Sequence, residues 1–509
     1  MEQDKPFSII GIVGAGAMGR GIAQIAAQAG YEVRLFDAQP TAVENARHVL
    51  DQTLDKLVSK GKLEAGAKQA AMARIRGCAA LEELAPCELV IEAIVEKLEV
   101  KRDVFRTLEA ALGDDALLAS NTSSLSITAI GAACERPERV AGLHFFNPVP
   151  LMKVAEVIDG ARTASQVAQR LAAFVRSIGH TPVFARDMPG FIVNHAGRGM
   201  NTEGLRIAQE GVADFAVIDR IVREQAGFRL GPFELMDLTA LDVSHPVMES
   251  IYYQFYEEPR FRPSPITAQR LAGGLLGRKT QAGFYRYVDG KAQVPPEAAA
   301  PAALPRRVWV SQAEPEAART LRRCVEAAGV ALDEGERPAD DALLLVAPLG
   351  LDATHAALAE SLDARRVMAV DLLYPLATGL RVTLMGTPAT DVAMRDAAHA
   401  LFAKAGHPVS VIQDSVGFVA QRVVATIVNI ACDIAQQKIA SPTDIDLATM
   451  LGLGYPKGPL ALGDSLGAAR VLTVLRNMQQ VTGDWRYRPS PWLARRAALG
   501  LSLLHHEAA

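Results

Sequence analysis

Residues 8–37 read SIIGIVGAGAMGRGIAQIAAQAGYEVRLFD, and this stretch decides the fold of the first part of the chain. A pattern typical of a buried strand runs into a loop with three glycines, Gly14, Gly16 and Gly19. A helical pattern then ends near Gly30, and a second strand pattern ends on Asp37. Strand, glycine loop, helix, strand and terminal acid in this order predict a Rossmann-type, doubly wound α/β domain that binds a dinucleotide.

The acid at the end of the second strand indicates which dinucleotide is bound. A carboxylate at Asp37 can accept hydrogen bonds from a ribose 2′,3′-diol and would repel a 2′-phosphate, so the pattern favours NAD over NADP. A tight turn in an α/β protein without a nucleotide is the alternative interpretation. The ordered context of the loop disfavours it.

Residues 120–158, SNTSSLSITAIGAACERPERVAGLHFFNPVPLMKVAEVI, place a histidine at the end of a strand pattern. His144 precedes the turn signal Asn147-Pro148, and Glu156 follows within the apolar run VAEVI. Because a lone buried carboxylate is costly, we expect Glu156 to meet the imidazole of His144 and fix its tautomer. The pair would then act as a general base and its orienting group. A core histidine and an edge-strand glutamate are the alternative interpretation.

Other polar residues lie where the predicted strands end. Glu92 interrupts the strand pattern CELVIEAIV, and the strand pattern ALLASNTSS ends in a hydroxyl-rich turn, at the sheet edge where open α/β folds bind ligands. In that turn, Ser123 either caps the next helix or contacts a ligand. A long helical pattern at residues 39–60 carries Thr53 and Lys60. A solvated charged face explains Lys60 better than an anionic ligand does from the pattern alone.

The composition is that of an ordinary globular protein. Of 509 residues, 50% are hydrophobic and 22% are charged, and the formal net charge is −4. This charge balance gives no indication that the protein binds nucleic acid or a membrane surface. The five cysteines are scattered, without a CxxC pair, which predicts a reducing compartment and no metal site. With an acidic N-terminus and no run long enough to span a bilayer, the sequence predicts a cytoplasmic protein.

A mainly helical region is predicted to follow the α/β domain, from residue 189 to about 257, with Asn194 on its first helix. The motif GRKTQAGFYRY then forms a basic turn that contains Lys279. Spacing alone gives that lysine no role, because basic turns are commonly solvated loops. A Pro/Ala-rich stretch follows and predicts a linker.

Together, SNTSSL, HFFNPVP, DMPGFIVN and GRKTxxGFYRY closely resemble the L-3-hydroxyacyl-CoA dehydrogenases of fatty-acid and aromatic-acid degradation, over residues 9–287. The resemblance implies that His144 is the base, that Glu156 orients it, and that Ser123 and Asn194 hold the substrate. It further implies cofactor contacts from Asp37, Glu92, Lys97, Asn147 and Lys279, and coenzyme A contacts from Thr53 and Lys60. The chain departs from the family pattern in three places: threonine at Thr53 where some relatives have serine, His195 where arginine is usual, and GFRLGPF for the commoner GYPxGPF.

The implied reaction is NAD-dependent oxidation of an L-3-hydroxyacyl-CoA to the 3-oxoacyl-CoA, with 3-hydroxyadipyl-CoA placed slightly ahead of 3-hydroxybutyryl-CoA as substrate. Two alternatives stay open. One is a dehydrogenase of free β-hydroxy acids, and the other is a non-catalytic NAD-binding scaffold.

The remainder of the chain repeats the first part. A constant offset of 227 residues maps DMPGF at Asp187 onto DSVGF at Asp414 and also relates several glycines, aspartates and Gly-Pro pairs, which indicates internal duplication. In the second copy, the positions of His144, Glu156, Asn194 and Ser123 hold Asp371, Thr383, Gln421 and Gly350. The second copy also lacks a GxGxxG loop, so it is predicted to be a degenerate copy with a truncated nucleotide-binding half.

Five segments are therefore predicted: an NAD-binding domain (1–187), a helical domain (188–287), a linker (288–307), a truncated Rossmann-like remnant (308–413) and a second helical domain (414–509). Single-copy members of the family pair through their helical domains. We therefore expect the second helical domain to pack on the first within one chain, as a pseudo-dimer with pseudo-two-fold symmetry. A homo-oligomer of whole chains is compatible with this arrangement.

Overall fold

A computed structural model describes residues 5–507 and shows a large, mostly parallel sheet in the first part of the chain. Its strands are β1 (Ile9–Val13), β2 (Glu32–Phe36), β3 (Ile75–Cys78), β4 (Leu89–Glu92), β5 (Leu117–Ser120), β6 (Val140–Phe145), β7 (Val154–Asp159) and β8 (Thr181–Arg186). Their order in the sheet is β3-β2-β1-β4-β5-β6-β7-β8. All neighbours are parallel except β6 and β7, which are antiparallel. The order changes direction between β1 and β4, which is where such sheets form a ligand-binding crevice.

Helices cover both faces of this sheet. They are α1 (Ala17–Gln28), α2 (Ala42–Ser59), α3 (Ala65–Arg74), α4 (Leu98–Ala111), α5 (Ile127–Gly131) and α6 (Ser165–Ser177). One buried apolar cluster includes Ile22, Leu50 and Leu171 from α1, α2 and α6, and a separate cluster includes Phe105 and Ile130 from α4 and α5. The two clusters confirm a doubly wound domain.

Two elements of this domain were not predicted. The helix α3 has the sequence AGAKQAAMAR, and only Ala71 in it is buried. It therefore has no clear apolar face. The strand β3 has four residues, of which the central two are exposed. Neither element shows the periodicity that makes a helix or strand recognisable.

A helical region follows and confirms the predicted change of structure. Its elements are α7 (Val193–Gln209), α8 (Phe215–Glu224), α9 (Pro232–Thr239), α10 (Leu241–Gln254) and α11 (Pro265–Ala272), and it ends in a short hairpin of β9 (Tyr287–Val288) and β10 (Lys291–Ala292). The segment expected to be a linker is held in place, because Glu297 pairs with Arg220 at 3.0 Å and with Arg381 at 2.7 Å.

The second sheet is smaller. Its strands are β11 (Arg307–Val310), β12 (Ala331–Asp333), β13 (Leu343–Val346), β14 (Val367–Val370), β15 (Val382–Gly386) and β16 (Val409–Ile412), in the order β12-β11-β13-β14-β15-β16. Its helices are α12 (Pro315–Ala327), α13 (Ala353–Ala359) and α14 (Val392–Lys404). As in the first sheet, one neighbouring pair, β14 and β15, is antiparallel. The shared pattern confirms a shortened second copy of the fold.

The chain ends in a second set of helices: α15 (Val419–Gln436), α16 (Pro442–Leu453), α17 (Pro459–Leu466), α18 (Ala468–Thr482) and α19 (Pro491–Leu499). The chain divides into two compact units. One combines the chain up to residue 195 with residues 437–453, and the other combines residues 196–436 with the chain from residue 454. Between residues 5 and 507, no helix has the length and apolar character needed to cross a membrane.

Candidate active site

The three glycines of the first loop differ in what surrounds them. Gly14 has φ +106°, and a Cβ added there would lie 2.4 Å from the carbonyl oxygen of Ala93. A Cβ at Gly19 would lie 1.8 Å from the carbonyl oxygen of Gly14, whereas a Cβ at Gly16 would meet nothing within 4 Å. Gly14 and Gly19 are thus needed for the turn and for packing. Gly16 precedes α1 and faces open space, as a cradle for a phosphate at a helix N-terminus requires.

Asp37 lies beside this loop. Its carboxylate accepts hydrogen bonds from the backbone N–H of Ala15 at 2.7 Å and of Gln39 at 2.9 Å. The side chain is half-buried at the end of β2. The structure therefore brings the predicted ribose-binding acid and the glycine loop together, and the residues present fit NAD.

His144 and Glu156 face each other across the antiparallel pair β6 and β7. The distance from His144 Nδ1 to Glu156 Oε2 is 2.6 Å, and the two residues are only 5% and 0% exposed. The predicted contact is present because the turn after β6 brings β7 back in the register that places these two side chains opposite each other.

Glu156 is held from its other side as well. Its Oε1 accepts hydrogen bonds from the backbone N–H groups of Ile192 and Val193, each at 2.9 Å, at the start of α7. Donors at a helix N-terminus stabilise a carboxylate as an anion. An anionic Glu156 accepts a hydrogen bond from Nδ1–H of His144, which leaves Nε2 of the imidazole as the atom that can take a proton.

Aromatic rings surround the imidazole. The ring centroid of Phe146 lies 4.4 Å from that of His144, edge to face, and the centroid of Phe191 lies 6.0 Å away. Apolar neighbours exclude water and lower the local dielectric constant, so the hydrogen bond between His144 and Glu156 is stronger than it would be in solvent.

The hydroxyl-rich turn after β5 is organised by a carboxylate that the sequence analysis did not identify. Glu96 Oε1 accepts hydrogen bonds from Thr122 Oγ1 at 2.6 Å and from the backbone N–H groups of Ser123 at 3.0 Å and Ser124 at 3.1 Å. Burial raises the pKa of Glu96, but the Lys101 ammonium and these donors outweigh it, so the pKa lies below its ordinary value. The sequence feature that could have identified Glu96 is its position, because it is an acidic residue between the end of β4 and the start of α4.

Ser123 is positioned by this network and by α7. The side-chain amide of Asn194 donates to the carbonyl oxygen of Ser123 at 3.4 Å. Helix α5 is capped by Ser126, whose Oγ accepts from the backbone N–H of Ala129 at 3.1 Å. Capping is therefore excluded as the role of Ser123, and the structure brings Ser123 and Asn194 together.

Glu92 is completely buried beneath the same turn. Its carboxylate accepts hydrogen bonds from Ser120 Oγ at 2.6 Å, Lys101 Nζ at 2.6 Å and the backbone N–H of Ile94 at 2.7 Å. Both oxygens are engaged by protein donors. This geometry gives Glu92 a part in holding the ends of β4 and β5. The cofactor contact expected of Glu92 stays a prediction.

The remaining predicted residues are exposed, and their ligand contacts stay predictions. Lys97 precedes α4 and Asn147 follows β6, both at carboxyl ends of strands. Thr53 and Lys60 lie two turns apart along α2, on one face, with Lys60 at its end. Lys279 belongs to the other compact unit and pairs with Asp242 at 2.5 Å.

Comparison with known proteins places this geometry in a family. The chain is 38% identical to 3-hydroxyadipyl-CoA dehydrogenase of Escherichia coli (strain K12) over 492 residues, 96% of this chain and 97% of the relative. A crystal structure of 3-hydroxybutyryl-CoA dehydrogenase from Escherichia coli K12 superposes with a TM-score of 0.84 at 35% identity, over 97% of this chain and 98% of that one. A probable 3-hydroxybutyryl-CoA dehydrogenase of Deinococcus radiodurans, 39% identical over 277 residues, covers 54% of this chain with 99% of its own length.

Two family models match most of the chain. Residues 9–188 match the model for 3-hydroxyacyl-CoA dehydrogenase, NAD binding domain. Residues 190–287 and 417–502 both match the model for 3-hydroxyacyl-CoA dehydrogenase, C-terminal domain, so the helical domain occurs twice. With its dinucleotide loop, its paired histidine and glutamate and these matches, the chain belongs to the 3-hydroxyacyl-CoA dehydrogenase family.

Proposed function

We propose that the chain oxidises an L-3-hydroxyacyl-CoA to the 3-oxoacyl-CoA with NAD as hydride acceptor. The observation that carries this proposal is the buried pair of His144 and Glu156 in a sheet that also carries a glycine loop and Asp37. NAD, when bound, supplies the hydride-accepting nicotinamide. Gly14, Gly16, Gly19 and Asp37 fit it, and we assign further contacts to Glu92, Lys97, Asn147 and Lys279.

The residues of the chain supply the proton chemistry and the positioning. His144 Nε2 takes the proton of the substrate 3-hydroxyl as the hydride leaves C3, so that the products are the 3-oxoacyl-CoA, NADH and a protonated imidazole. Glu156 stabilises that imidazolium and keeps the ring in place. We assign Ser123 and Asn194 to hold the substrate near the base, and Thr53 and Lys60 to contact coenzyme A.

The two alternative functions are distinguished by the substrate. An assay that follows NADH with acetoacetyl-CoA, a 3-oxoadipyl thioester and free acetoacetate is expected to show turnover only of the thioesters. Equal turnover of free acetoacetate would support a dehydrogenase of free β-hydroxy acids, and no turnover of any would support a scaffold. The exposed Thr53 and Lys60 on one face of α2 favour a coenzyme A thioester.

Substitution of Gly16 by alanine tests the nucleotide cradle. The backbone at Gly16, with φ −65°, suits any residue, and the added methyl group meets no protein atom within 4 Å. The fold should therefore persist, while the affinity for NADH should fall by about 10- to 100-fold, because the methyl group would occupy the open space and hold the phosphate away from the backbone N–H donors. NADH fluorescence titration and thermal melting measure the two effects. Gly19→Ala is the comparison variant. Its methyl group would clash with the carbonyl oxygen of Gly14 in the loop and should lower the melting temperature. Unchanged NADH affinity in Gly16→Ala would contradict the cradle.

Substitution of Asp37 by alanine tests cofactor choice. Loss of the carboxylate should reduce kcat/KM for NAD by about 10- to 100-fold, because hydrogen bonds to the ribose diol are lost. Activity with NADP should fall less or rise, because the repulsion of its 2′-phosphate disappears. The ratio of kcat/KM for NAD and NADP is the measurement. Asp37→Asn, which removes the charge but keeps an acceptor, separates the two contributions, and an unmoved ratio in both variants would remove Asp37 as the ribose ligand.

We further propose the five-segment organisation given above, with the two helical domains forming a pseudo-dimer within the chain. A pair of hydrogen bonds supports it: the N–H of Arg186 donates to Ile439 at 2.8 Å, and the N–H of Gln413 donates to Val212 at 2.9 Å. The offset of 227 exchanges the members of these two pairs, as a two-fold axis would. Phe228 and Tyr455, which also correspond, lie edge to face at 5.0 Å.

The second copy is proposed to have no catalytic role of its own. Gln421 donates to Asp371 at 2.9 Å and accepts from the backbone N–H of Gly350 at 2.8 Å, so the residues at the positions of the active site bond to each other. Thr383 donates to the side chain of Gln225 at 2.5 Å. A cytoplasmic location, which the five buried free cysteines support, and a homo-oligomer of whole chains complete the proposal.

A further inference from the structure

The turn that leads into α7 has a strained backbone. Phe191 has φ +47°, in the left-handed region, which is costly for a residue that carries a Cβ. The next two residues, Ile192 and Val193, donate their backbone N–H groups to the carboxylate of Glu156. A strained backbone conformation persists only where the surrounding structure holds it. The two donors that fix Glu156 therefore depend on what packs against this turn.

A helix of the second copy packs against it. Residues 437–453, which include α16, belong to the same compact unit as the first sheet, and α16 lies against β7 and β8. A Cβ added at Gly452 would lie 3.0 and 3.2 Å from the two methyl groups of Val193, and 3.7 Å from a methyl group of Val154. Val154 and Glu156 are two residues apart in β7, so their side chains lie on the same face of the sheet. Helix α16 therefore covers the face that carries the buried carboxylate.

The other end of α16 is fixed to the edge of the sheet. Strand β8 is the last in the strand order, so its outward N–H groups need partners from outside the sheet. The N–H of Arg186 donates to the carbonyl oxygen of Ile439 at 2.8 Å, and the N–H of Phe184 donates to the carboxylate of Asp444. The hydroxyl of Ser441 also donates to Asp444, at 2.8 Å. The position of α16 on the sheet is thus defined at both of its ends.

The second copy shows the same place with a side chain in it. The offset of 227 relates Gly452 to Gln225 and relates Glu156 to Thr383. The side chain of Gln225 accepts a hydrogen bond from the hydroxyl of Thr383 at 2.5 Å. A side chain at this helix position therefore reaches the strand position that carries the carboxylate in the first copy. In the first copy, the glycine leaves that space to Val193 and the strained turn.

We propose that α16 of the second copy positions the pair of His144 and Glu156 in the first copy, with Gly452 as the positioning residue that permits close contact with Val193. This inference rests on the proposed function, in which Glu156 orients the base. A methyl group at Gly452 would displace Val193 by a few tenths of an ångström, and with it one of the two donors to Glu156. The second copy is then needed for full activity, although it supplies no group that touches the substrate.

The experiment measures kcat and KM of the full-length enzyme with L-3-hydroxybutyryl-CoA and NAD. Gly452→Ala should lower kcat by about 3- to 10-fold, because a misplacement of about 1 Å can cost about 10²-fold in rate. The KM for NAD should not change, because the glycine loop and Asp37 lie elsewhere in the sheet. Gly66→Ala in α3 is the matched control. Its methyl group meets no protein atom within 4 Å, so it should keep the wild-type kcat.

A compensating substitution tests the contact itself. Val193→Ala removes the two methyl groups that a Cβ at Gly452 would meet. Alone, it loosens the contact with α16 and should also lower kcat, so it tests the same contact if Gly452→Ala does not fold. In the double variant, the new methyl group fills part of the space that the valine leaves. The double variant should therefore be more active than either single variant.

Glu156→Gln separates an effect on the carboxylate from a general effect on the fold. The amide carries no charge to be placed beside the imidazole. If Gly452 acts through Glu156, Gly452→Ala should lower kcat less in the Glu156→Gln enzyme than in the wild type.

The outcomes distinguish this inference from the proposed function. A wild-type enzyme that does not oxidise 3-hydroxyacyl thioesters would overturn both. An active wild type whose kcat is changed by neither Gly452→Ala nor Val193→Ala would overturn the positioning role alone. A lowered kcat that the double variant does not restore, or that is lowered equally in the Glu156→Gln enzyme, would assign Gly452 a general packing role and would also overturn the inference.

Discussion

Replacement of His144 by glutamine is expected to lower kcat by about 10²- to 10⁴-fold while leaving the fold and NADH binding intact. The imidazole Nε2 is the only atom of the proposed mechanism that takes the substrate proton, and a glutamine amide cannot replace it as a base. Glutamine can still donate a hydrogen bond to Glu156, so the carboxylate is not left without a partner. Single-turnover formation of NADH, with NADH binding measured by fluorescence in parallel, checks both expectations.

The matched variant is Glu156→Gln. It removes the negative charge that stabilises the imidazolium, while Ile192 and Val193 still offer their N–H groups to the side-chain oxygen. The decrease in kcat of Glu156→Gln should be substantial but smaller than that of His144→Gln. A folded His144→Gln enzyme that binds NADH and turns over at the wild-type rate would show that another group is the base.

The sequence predicted this pair because both residues lie in apolar strand patterns on either side of one turn. A polar residue in such a pattern needs a partner, and a short connection limits the choice. The antiparallel register of β6 and β7 then places His144 opposite Glu156. The glycine loop was equally recognisable, since its signal is local and ordered.

The support beneath the turn after β5 could not be predicted in the same way. Lys101 links Glu92 and Glu96, at 2.6 and 3.2 Å, although the three residues belong to different elements. Each residue looks ordinary in its own segment, where Glu96 and Lys101 read as the start of a charged helix. Only the packing of α4 against the sheet shows that Lys101 is buried and that it pairs with both Glu92 and Glu96.

The second copy shows the same limit. The offset of 227 predicted the duplicated helices and the loss of the catalytic positions, because a repeat can be read from local motifs. It did not predict which charged residues of one copy would pair with the other. Arg422 corresponds to His195, and Glu203 corresponds to Ile430, so the cation and its acid lie in different copies and have no charged counterparts.

This one-sided pairing makes Arg422→Met the strongest test of how the helical domains pack. Arg422 donates to Glu203 at 2.7 Å and to Glu210 at 2.7 Å, and the side chains of Arg422 and Glu203 are 2% and 1% exposed. Removal of the guanidinium would leave the Glu203 carboxylate buried, so unfolding should become easier by about 3–5 kcal/mol. Arg486, 3.6 Å from Glu203, should keep the loss towards the lower end. The measurement is the denaturant-unfolding midpoint of the full chain.

The double variant Glu203→Gln with Arg422→Met isolates the pair. Once the acid is neutral, the loss of the arginine should cost less, so the two substitutions should be less destabilising together than the sum of their separate effects by about 0.5–3 kcal/mol. Arg206→Met, which removes a partly exposed ion pair with the neighbouring Glu210, should change stability by no more than about 1 kcal/mol. Additive effects of Glu203→Gln and Arg422→Met would mean that the two helical domains do not depend on this contact in solution. Strong coupling would instead show that the buried carboxylate of Glu203 depends on the arginine of the second copy. A second copy of the first helical domain could not replace that arginine, because it has His195 at the corresponding position. Such a coupling would support the packing role that we propose for the second copy.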